Sequence, residues 1–246
     1  MKLDYLKDKS FSELILEFPN LDWSLRRGGL LTRKVKLDTI TFVYYEIKKP
    51  RKEVDLYRPI SVSDLTKDGL SFIEKEKERG IGLISKVKLG YPFEDSERKY
   101  AHIPMIDFDT DEAFGFMKED ELVEVIKQKT VEATELDTGV ILRSGPKRNY
   151  HFVGVGSLLS EDDLITFIGL ALSMRYKTED GRKLHMVDSW MMGSHGLAPM
   201  KYIPEVEKTV EPNARWSRYG FKERFLTLRA NRKPAYADYP RVVEVF

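Results

Sequence analysis

The chain has 246 residues, of which 41% are apolar, and its 41 basic and 40 acidic residues nearly cancel. A chain so close to neutral lacks the positive field of proteins that coat nucleic acids unselectively, so any contact with a polyanion must be local. The absence of cysteine excludes disulfides, thiolate nucleophiles and cysteine-bound zinc, and it is typical of a reducing cytoplasm.

The first half of the chain predicts helix, strand and helix, followed by further strands. Ser10 and Glu13 have the spacing of a capping box, which predicts a helix that ends at Pro19. The alternating residues 35–47 predict a strand, and the serine starts, helical spacing and final glycine of residues 61–80 predict a second helix. Residues 81–90 and 100–109 are typical of neighbouring strands.

The second half begins with a predicted helix over residues 120–133, with Leu122, Val123 and Ile126 on one face. Residues 138–144 and 149–156 predict the two arms of a hairpin, and Ser160 with Asp163 predicts the start of another capped helix. Residues 183–193 and 224–230 have strand character. We therefore expect a mixed α+β fold with largely antiparallel sheets flanked by helices, forming a single compact domain over residues 1–246.

Two acidic residues, Asp107 and Asp109, close an apolar segment of the sequence. On a strand they share one face, while Ile106 and Phe108 share the other. Adjacent carboxylates repel each other unless a cation lies between them, and Mg²⁺ or Mn²⁺ prefers oxygen ligands of this kind. This pattern predicts a metal site, although two solvated acids before a helix would leave the same letters.

Three other acidic motifs can be compared with residues 107–118. A calcium-binding helix-loop-helix segment needs glycine where Glu112 stands and a late glutamate where Lys118 stands, so that match fails. A haloacid dehalogenase-like phosphatase would want threonine or valine at Asp111. A glycosyltransferase that binds a nucleotide sugar through a D-x-D motif remains open.

Three landmarks in order make the chain resemble the archaeo-eukaryotic primase superfamily, the catalytic cores of primases and primase-polymerases. Asp107 and Asp109 match its D-x-D strand, Asn149 with His151 approximates its small residue two positions before a histidine, and Val187 with Asp188 matches its apolar residue followed by an acid. Asn149 departs from the serine or glycine that is usual there. The resemblance covers about residues 80–205.

The resemblance implies a primase-like, RRM-related catalytic core over residues 80–246, with residues 1–79 as an N-terminal α/β part packed on it. It implies a metal-dependent nucleotidyltransferase that adds nucleotides on a single-stranded template by two-metal phosphoryl transfer. Asp107, Asp109 and Asp188 would be the catalytic and metal-binding residues, with Mg²⁺ or Mn²⁺ as cofactor. His151 would contact the phosphates of the incoming nucleotide, assisted by Arg143, Lys147, Arg148 and Asn149.

Partners follow from the same resemblance and from the local charge pattern. Nucleoside triphosphates and single-stranded DNA or RNA would be the ligands, and a replication helicase or an accessory subunit would be a further partner. Three clusters mix Arg and Lys with aromatic residues in a way that suits unpaired bases, although solvated surface would look the same: residues 175–183, 214–225 and 229–233. We expect no membrane contact, because the N-terminal residues lack an apolar segment of signal or membrane length, and we expect a cytoplasmic location.

Two alternatives to this enzyme stay open at the level of sequence. The first is a primase-like module that has lost turnover and only binds nucleotide or nucleic acid. The second is the D-x-D glycosyltransferase, which would need neither Asp188 nor a template.

Overall fold

The computed structural model describes residues 3–46, 54–90, 100–110, 113–145, 148–189, 192, 225–231 and 240–246. Within them the fold is mixed α+β with largely antiparallel sheets and few helices, which confirms the predicted class. The helices are α1 (Phe11–Glu17), α2 (Ser71–Lys75), α3 (Glu119–Thr134) and α4 (Glu161–Ser173). The strands are β1 (Trp23–Arg27), β2 (Leu30–Val35), β3 (Leu37–Glu46), β4 (Val54–Ser61), β5 (Arg79–Ile84), β6 (Lys86–Leu89), β7 (Tyr100–His102), β8 (Met105–Asp109), β9 (Gly139–Arg143), β10 (Asn149–Gly154), β11 (Ser157–Leu159), β12 (Arg175–Lys177), β13 (Lys183–His185), β14 (Thr227–Arg229) and β15 (Arg241–Val245).

The described strands form a large sheet, a four-stranded sheet and a two-stranded hairpin. The large sheet runs β14-β5-β3-β6-β7-β11-β1-β2, with β4 also paired to β3, and the smaller sheet runs β15-β9-β10-β8. Strand pairs in both are antiparallel except for β1 with β11. The large sheet joins strands from both sides of residue 80, and that position lies inside β5.

The helix predicted to end at Pro19 and the helix after Ser160 form as the sequence indicates. The Ser10 hydroxyl accepts a hydrogen bond from the Glu13 backbone N–H, and the Glu13 carboxylate accepts one from the Ser10 N–H, which confirms the capping box. The Ser160 hydroxyl accepts a bond from the Asp163 N–H in the same way. These side chains satisfy backbone donors that would otherwise have no partner at the helix start.

The long helix predicted over residues 61–80 is wrong. Residues 54–61 form β4, a short 3-10 turn follows, and only residues 71–75 are α-helical. The Gly69 N–H donates to the Thr66 hydroxyl, and a Cβ at Gly69 would lie 2.6 Å from the Asp64 carbonyl oxygen. This tight turn places the apolar residues before and after it in different elements, so their helical spacing is coincidental.

The core lies between the sheets and the helices packed on them. Its main cluster contains Phe11 and Phe18 from the N-terminal segment together with Ile106, Phe108 and Phe152 from the small sheet. Within the described residues, no helix combines the length and apolar content needed to span a bilayer.

Candidate active site

The two aspartates of the D-x-D motif lie on β8, on the same face of the small sheet. Ile106 and Phe108, which alternate with them, are completely buried. Asp107 is half-buried, and Asp109 at the end of the strand is exposed. The packing of the alternate apolar residues therefore directs both carboxylates away from the core.

The neighbouring strand β10 places two predicted residues beside these acids. Asn149 pairs with Asp109 and His151 pairs with Asp107 in the antiparallel register, so all four share one face. The His151 Nε2 lies 3.4 Å from the Asp107 Oδ1, and the histidine is buried. Strand pairing alone thus brings the first two landmarks into contact.

The third landmark, Val187 with Asp188, runs along the other side of β8. Val187 forms a β-bridge with Phe108, and the Asp109 N–H donates to the Met186 carbonyl at 3.0 Å. The Asp188 N–H donates to the Asp107 carbonyl at 2.8 Å. Asp188, which is 81 positions after Asp107 in the sequence, is therefore a direct neighbour of the early pair.

These residues line a pocket of about 180 Å³ between the small sheet and one end of the large sheet. Its wall on the large sheet comes from β3, β5 and β14, and β14 lies against β8. The pocket is lined by Tyr45, Gly82, Asp107, Phe108, Asp109, Ser144, Asn149, His151, Asp188, Thr227, Leu228 and Arg229.

Arg229 and Tyr45 form a contacting pair in the pocket that the sequence did not predict. The Arg229 Nε donates to the Tyr45 hydroxyl at 3.0 Å, and the guanidinium lies 5.7 Å from the centre of the tyrosine ring. Burial raises the pKa of Tyr45, and the nearby charge of Asp107 raises this pKa further, whereas Arg229 lowers it. A cation therefore lies near the carboxylates; its only signal in the sequence was a place in the basic cluster 229–233.

Glycine at position 80 allows Tyr45 to occupy this position. A Cβ at Gly80 would lie 2.2 Å from a carbon of the Tyr45 ring, which is far inside the contact distance. Tyr45 and Gly80 are paired in register on β3 and β5. The ring thus lies across a strand that has no side chain at this point, and its hydroxyl accepts the hydrogen bond from Arg229.

Polar atoms without partners concentrate in this pocket. Five buried side-chain polar atoms lack a hydrogen-bond partner in the described part of the chain, and three of them belong to pocket residues: Asn149 Oδ1, His151 Nδ1 and Arg229 Nη1. Burying a polar atom without a partner costs about 1–3 kcal/mol. Such atoms need a reason to be retained, and a bound ligand that supplies their partners is one.

The donor chemistry of the pocket fits a hard divalent cation. Asp107, Asp109 and Asp188 contribute carboxylate oxygens, the ligand type that Mg²⁺ and Mn²⁺ prefer. As placed, no three His, Asp or Glu side chains of the described residues form a group that could hold a metal ion. The fit therefore rests on the ligand type and on the shared pocket, and binding would require these side chains to converge.

The two described basic residues of the predicted hairpin bend, Arg143 and Arg148, lie outside the pocket. Arg143 shares the opposite sheet face with Tyr150, and its Nη1 forms an ion pair with Glu119 of α3 at 2.8 Å. The Arg148 Nη1 donates to the carbonyls of Phe114 and Met117 at 2.9 and 2.5 Å. Neither arginine lines the pocket, and Lys147 lies outside the described residues.

The three predicted basic clusters differ in their position and in how much of each the structure describes. Residues 175–183 form β12, a turn and the start of β13, and the chain after β13 leads to Asp188. Of residues 214–225, only Phe225 lies within the described residues, and the cluster 229–233 is described as far as Asn231. Asn231 accepts from the Ile81 N–H and donates to the Arg79 carbonyl, so it supports β5.

No protein-family model matches this chain, and no curated protein has a significantly similar sequence.

Proposed function

We propose that the protein is a metal-dependent nucleotidyltransferase that adds nucleotides on a single-stranded template, as primase-polymerases do. The observation that carries this proposal is the hydrogen bond from the Asp188 N–H to the Asp107 carbonyl. It places the third acid of the sequence pattern in one pocket with Asp107, Asp109 and His151. A purely structural role for the three acids would not require them to line one pocket.

Each pocket residue has a role in this proposal. Asp107, Asp109 and Asp188 would hold Mg²⁺ or Mn²⁺, which when bound supplies charge stabilisation to the attacking and leaving oxygens. His151 and Arg229 would bind the phosphates of the incoming nucleotide, because both residues line the pocket and each has a buried nitrogen without a hydrogen-bond partner. Tyr45 would position Arg229 through the bond to its Nε.

The wider assignment belongs to the same proposal. The small sheet, which carries Asp107 and His151, would be the primase-like, RRM-related core. Nucleoside triphosphates and single-stranded DNA would be the ligands, with a replication helicase or an accessory subunit as a further partner. The cytoplasm would be the location, in keeping with a chain that has no cysteine.

The test measures the incorporation of labelled nucleotides on single-stranded DNA with Mn²⁺ or Mg²⁺. We expect product from the wild type and none from the double variant Asp107→Ala, Asp109→Ala. The matched control is Asp4→Ala, Asp162→Ala, which removes two exposed aspartates outside the pocket and should leave synthesis unchanged. Unchanged synthesis by the Asp107, Asp109 double variant would overturn the proposal.

The same assay separates the alternatives. Binding of nucleotide or DNA without synthesis by the wild type would favour a module that has lost turnover. Sugar transfer from a nucleotide sugar that survives Asp188→Ala would favour the glycosyltransferase.

A further inference from the structure

An aromatic patch is formed by residues that are close in sequence to the strands of the candidate active site. It consists of Phe114 and Phe116, from the segment after β8, and Tyr176 of β12. The ring centres are 6.3 Å apart for Phe114 and Phe116, 5.9 Å for Phe114 and Tyr176, and 6.2 Å for Phe116 and Tyr176. Each ring thus contacts both others, and the patch is a single packed unit.

One ring of this patch is exposed to solvent. Phe116 is 59% exposed, whereas Phe114 beneath it is completely buried. Among the described residues, Phe116 is the only phenylalanine or tryptophan that counts as an exposed large apolar side chain. Exposing an aromatic ring forgoes hydrophobic stabilisation, and the exposed face of Phe116, held on a buried base, is available for contact with a ligand.

The patch is attached to both strands of the candidate site. The Arg148 Nη1 donates to the carbonyls of Phe114 and Met117, and Arg148 directly precedes Asn149 of β10. The Thr110 hydroxyl, next to Asp109, donates to the Arg148 carbonyl at 2.5 Å. The segment that carries Phe116 is therefore held in position relative to the strands of the pocket.

The third ring belongs to a hairpin that leads into the pocket. Tyr176 of β12 pairs with Leu184 of β13, and the chain continues from the end of β13 to Met186, whose carbonyl accepts from the Asp109 N–H. Beyond Tyr176 the hairpin pairs Lys177 directly with Lys183, and both lysines are exposed. Like charges opposite each other on paired strands destabilise a hairpin, so an anionic ligand nearby would relieve the repulsion.

We infer that the aromatic patch binds an unpaired base of single-stranded nucleic acid, with Phe116 as the stacking ring. This inference rests on the proposed function, because it gives the template strand of that reaction a binding surface. Bases in a single strand have free faces that stack on exposed aromatic rings. The strand's phosphates pass on the hairpin side, where the exposed Lys177 and Lys183 supply positive charge.

The test is the affinity of the full-length protein for a fluorescein-labelled oligo(dT), measured by fluorescence anisotropy in EDTA. Metal is excluded so that binding is measured without turnover. We expect Phe116→Ala to weaken binding by about tenfold, since stacking of one base contributes roughly 1–3 kcal/mol. Phe116→Trp should bind like the wild type and Phe116→Leu like Phe116→Ala, because stacking requires a planar ring and apolar contact does not.

Two controls separate stacking from a general loss of affinity. Leu170→Ala, which removes another exposed apolar side chain on α4, should leave the affinity unchanged. An oligonucleotide of abasic sites should bind the wild type and Phe116→Ala equally, since it has no base to stack. Thermal unfolding of each variant checks that the fold is intact.

The lysine pair has its own readout in the salt dependence. Lys177→Gln with Lys183→Gln should flatten the plot of log affinity against log salt by about 0.7 for each phosphate of a single strand that the variant no longer neutralises. Binding of oligo(dT) by Phe116→Ala or Phe116→Leu at wild-type affinity would overturn the inference, and so would the absence of any binding by the wild type. If the patch binds a protein partner and not nucleic acid, oligo(dT) affinity should likewise not depend on Phe116.

The outcomes distinguish this inference from the proposed function. If the wild type synthesises product but Phe116→Ala binds and extends normally, the inference fails and the proposed function stands. If Phe116→Ala weakens binding but the wild type makes no product, the inference stands and the nucleotidyltransferase fails. The double variant Asp107→Ala, Asp109→Ala should bind oligo(dT) at least as well as the wild type, because it loses two negative charges.

Discussion

The two faces of the strand pair β8 and β10 differ in what their side chains do. One face carries Asp107, Asp109, Asn149 and His151 toward the pocket. The other carries Ile106, Phe108, Tyr150 and Phe152, all completely buried. Both faces arise from one alternating pattern, but only the second reduces the apolar surface in contact with water.

The difference predicts which residues are needed for stability and which are needed for the proposed activity. On the buried face, Phe152 stacks on Phe246 with ring centres 5.9 Å apart, and burial raises the pKa of Tyr150 to about 12. On the pocket face, Asn149 and His151 have buried polar atoms without a hydrogen-bond partner within the described structure, as does the Tyr150 hydroxyl on the buried face. Stability and activity should therefore respond separately to substitutions on the two faces.

The largest effect is expected from the buried face. Phe152→Ala removes a completely buried ring and should lower the free energy of unfolding by about 3–5 kcal/mol, measured by urea denaturation. Phe152→Leu, which keeps most of the volume, should cost less. A loss below about 1 kcal/mol for Phe152→Ala would show that this face is not the tightly packed one.

Removing a carboxylate from the pocket should lower the rate of nucleotide incorporation with little change in stability. Asp188→Asn keeps the size of the side chain and the backbone bond to Asp107, but it removes one carboxylate charge. We expect nucleotide incorporation to fall by about 100- to 1000-fold, the usual cost of removing one electrostatic interaction with a transition state. The melting temperature should stay within experimental error; a parallel fall of both would contradict the separation of the two faces.

A smaller effect is expected where the large sheet supports the pocket. Gly80→Ala forces the Tyr45 ring away from β5, because the new Cβ would lie 2.2 Å from it, and this displaces Arg229. Overpacking of this kind costs about 1–3 kcal/mol in stability, and we expect weaker nucleotide binding as well. The control is Gly169→Ala on α4, where no atom lies within 4 Å and the helix should gain stability.

The smallest effect is expected outside both faces, at the start of α1. Ser10→Ala should cost about 1 kcal/mol of unfolding free energy, whereas Ser10→Asp should retain the cap.

The hydrogen bonds from Ser10 lower the pKa of Glu13. The stabilisation by Glu13 is therefore present above the ordinary pKa of glutamate and is lost as the pH falls through its lowered folded-state pKa. A Glu13→Gln variant should accordingly approach the wild type in melting temperature below roughly pH 4.

Elements with strong local signals were predictable. The capping pairs at Ser10 and Ser160 and the hairpin formed by β9 and β10 appear where the sequence indicates them, because each depends on contacts within a few residues. Short strands with weak patterns, such as β1, β11 and β15, were not predicted. Their pairing partners supply the hydrogen bonds that make them strands, and those partners lie far away in the chain.

The candidate site was predictable in part. The sequence identified Asp107, Asp109, Asn149, His151 and Asp188, and all five line one pocket. Arg143 and Arg148 were predicted near the phosphates because they are charged and lie near His151 in the sequence. Strand alternation puts Arg143 on the other face, and Arg148 donates to the carbonyls of Phe114 and Met117. Tyr45 and Arg229 were not recognised, because nothing local marks two residues that meet across a sheet.

By itself the sequence determined the alternation on β8, the helix caps and the order of the acidic and histidine landmarks, since these are properties of neighbouring residues. Only the tertiary structure decided that Asp188 lies beside Asp107, that Arg229 enters the same pocket and that Phe116 stays exposed on a packed base. The physical reason is that side-chain direction follows from local geometry, whereas proximity between distant segments depends on sheet order and packing, which emerge from the whole chain.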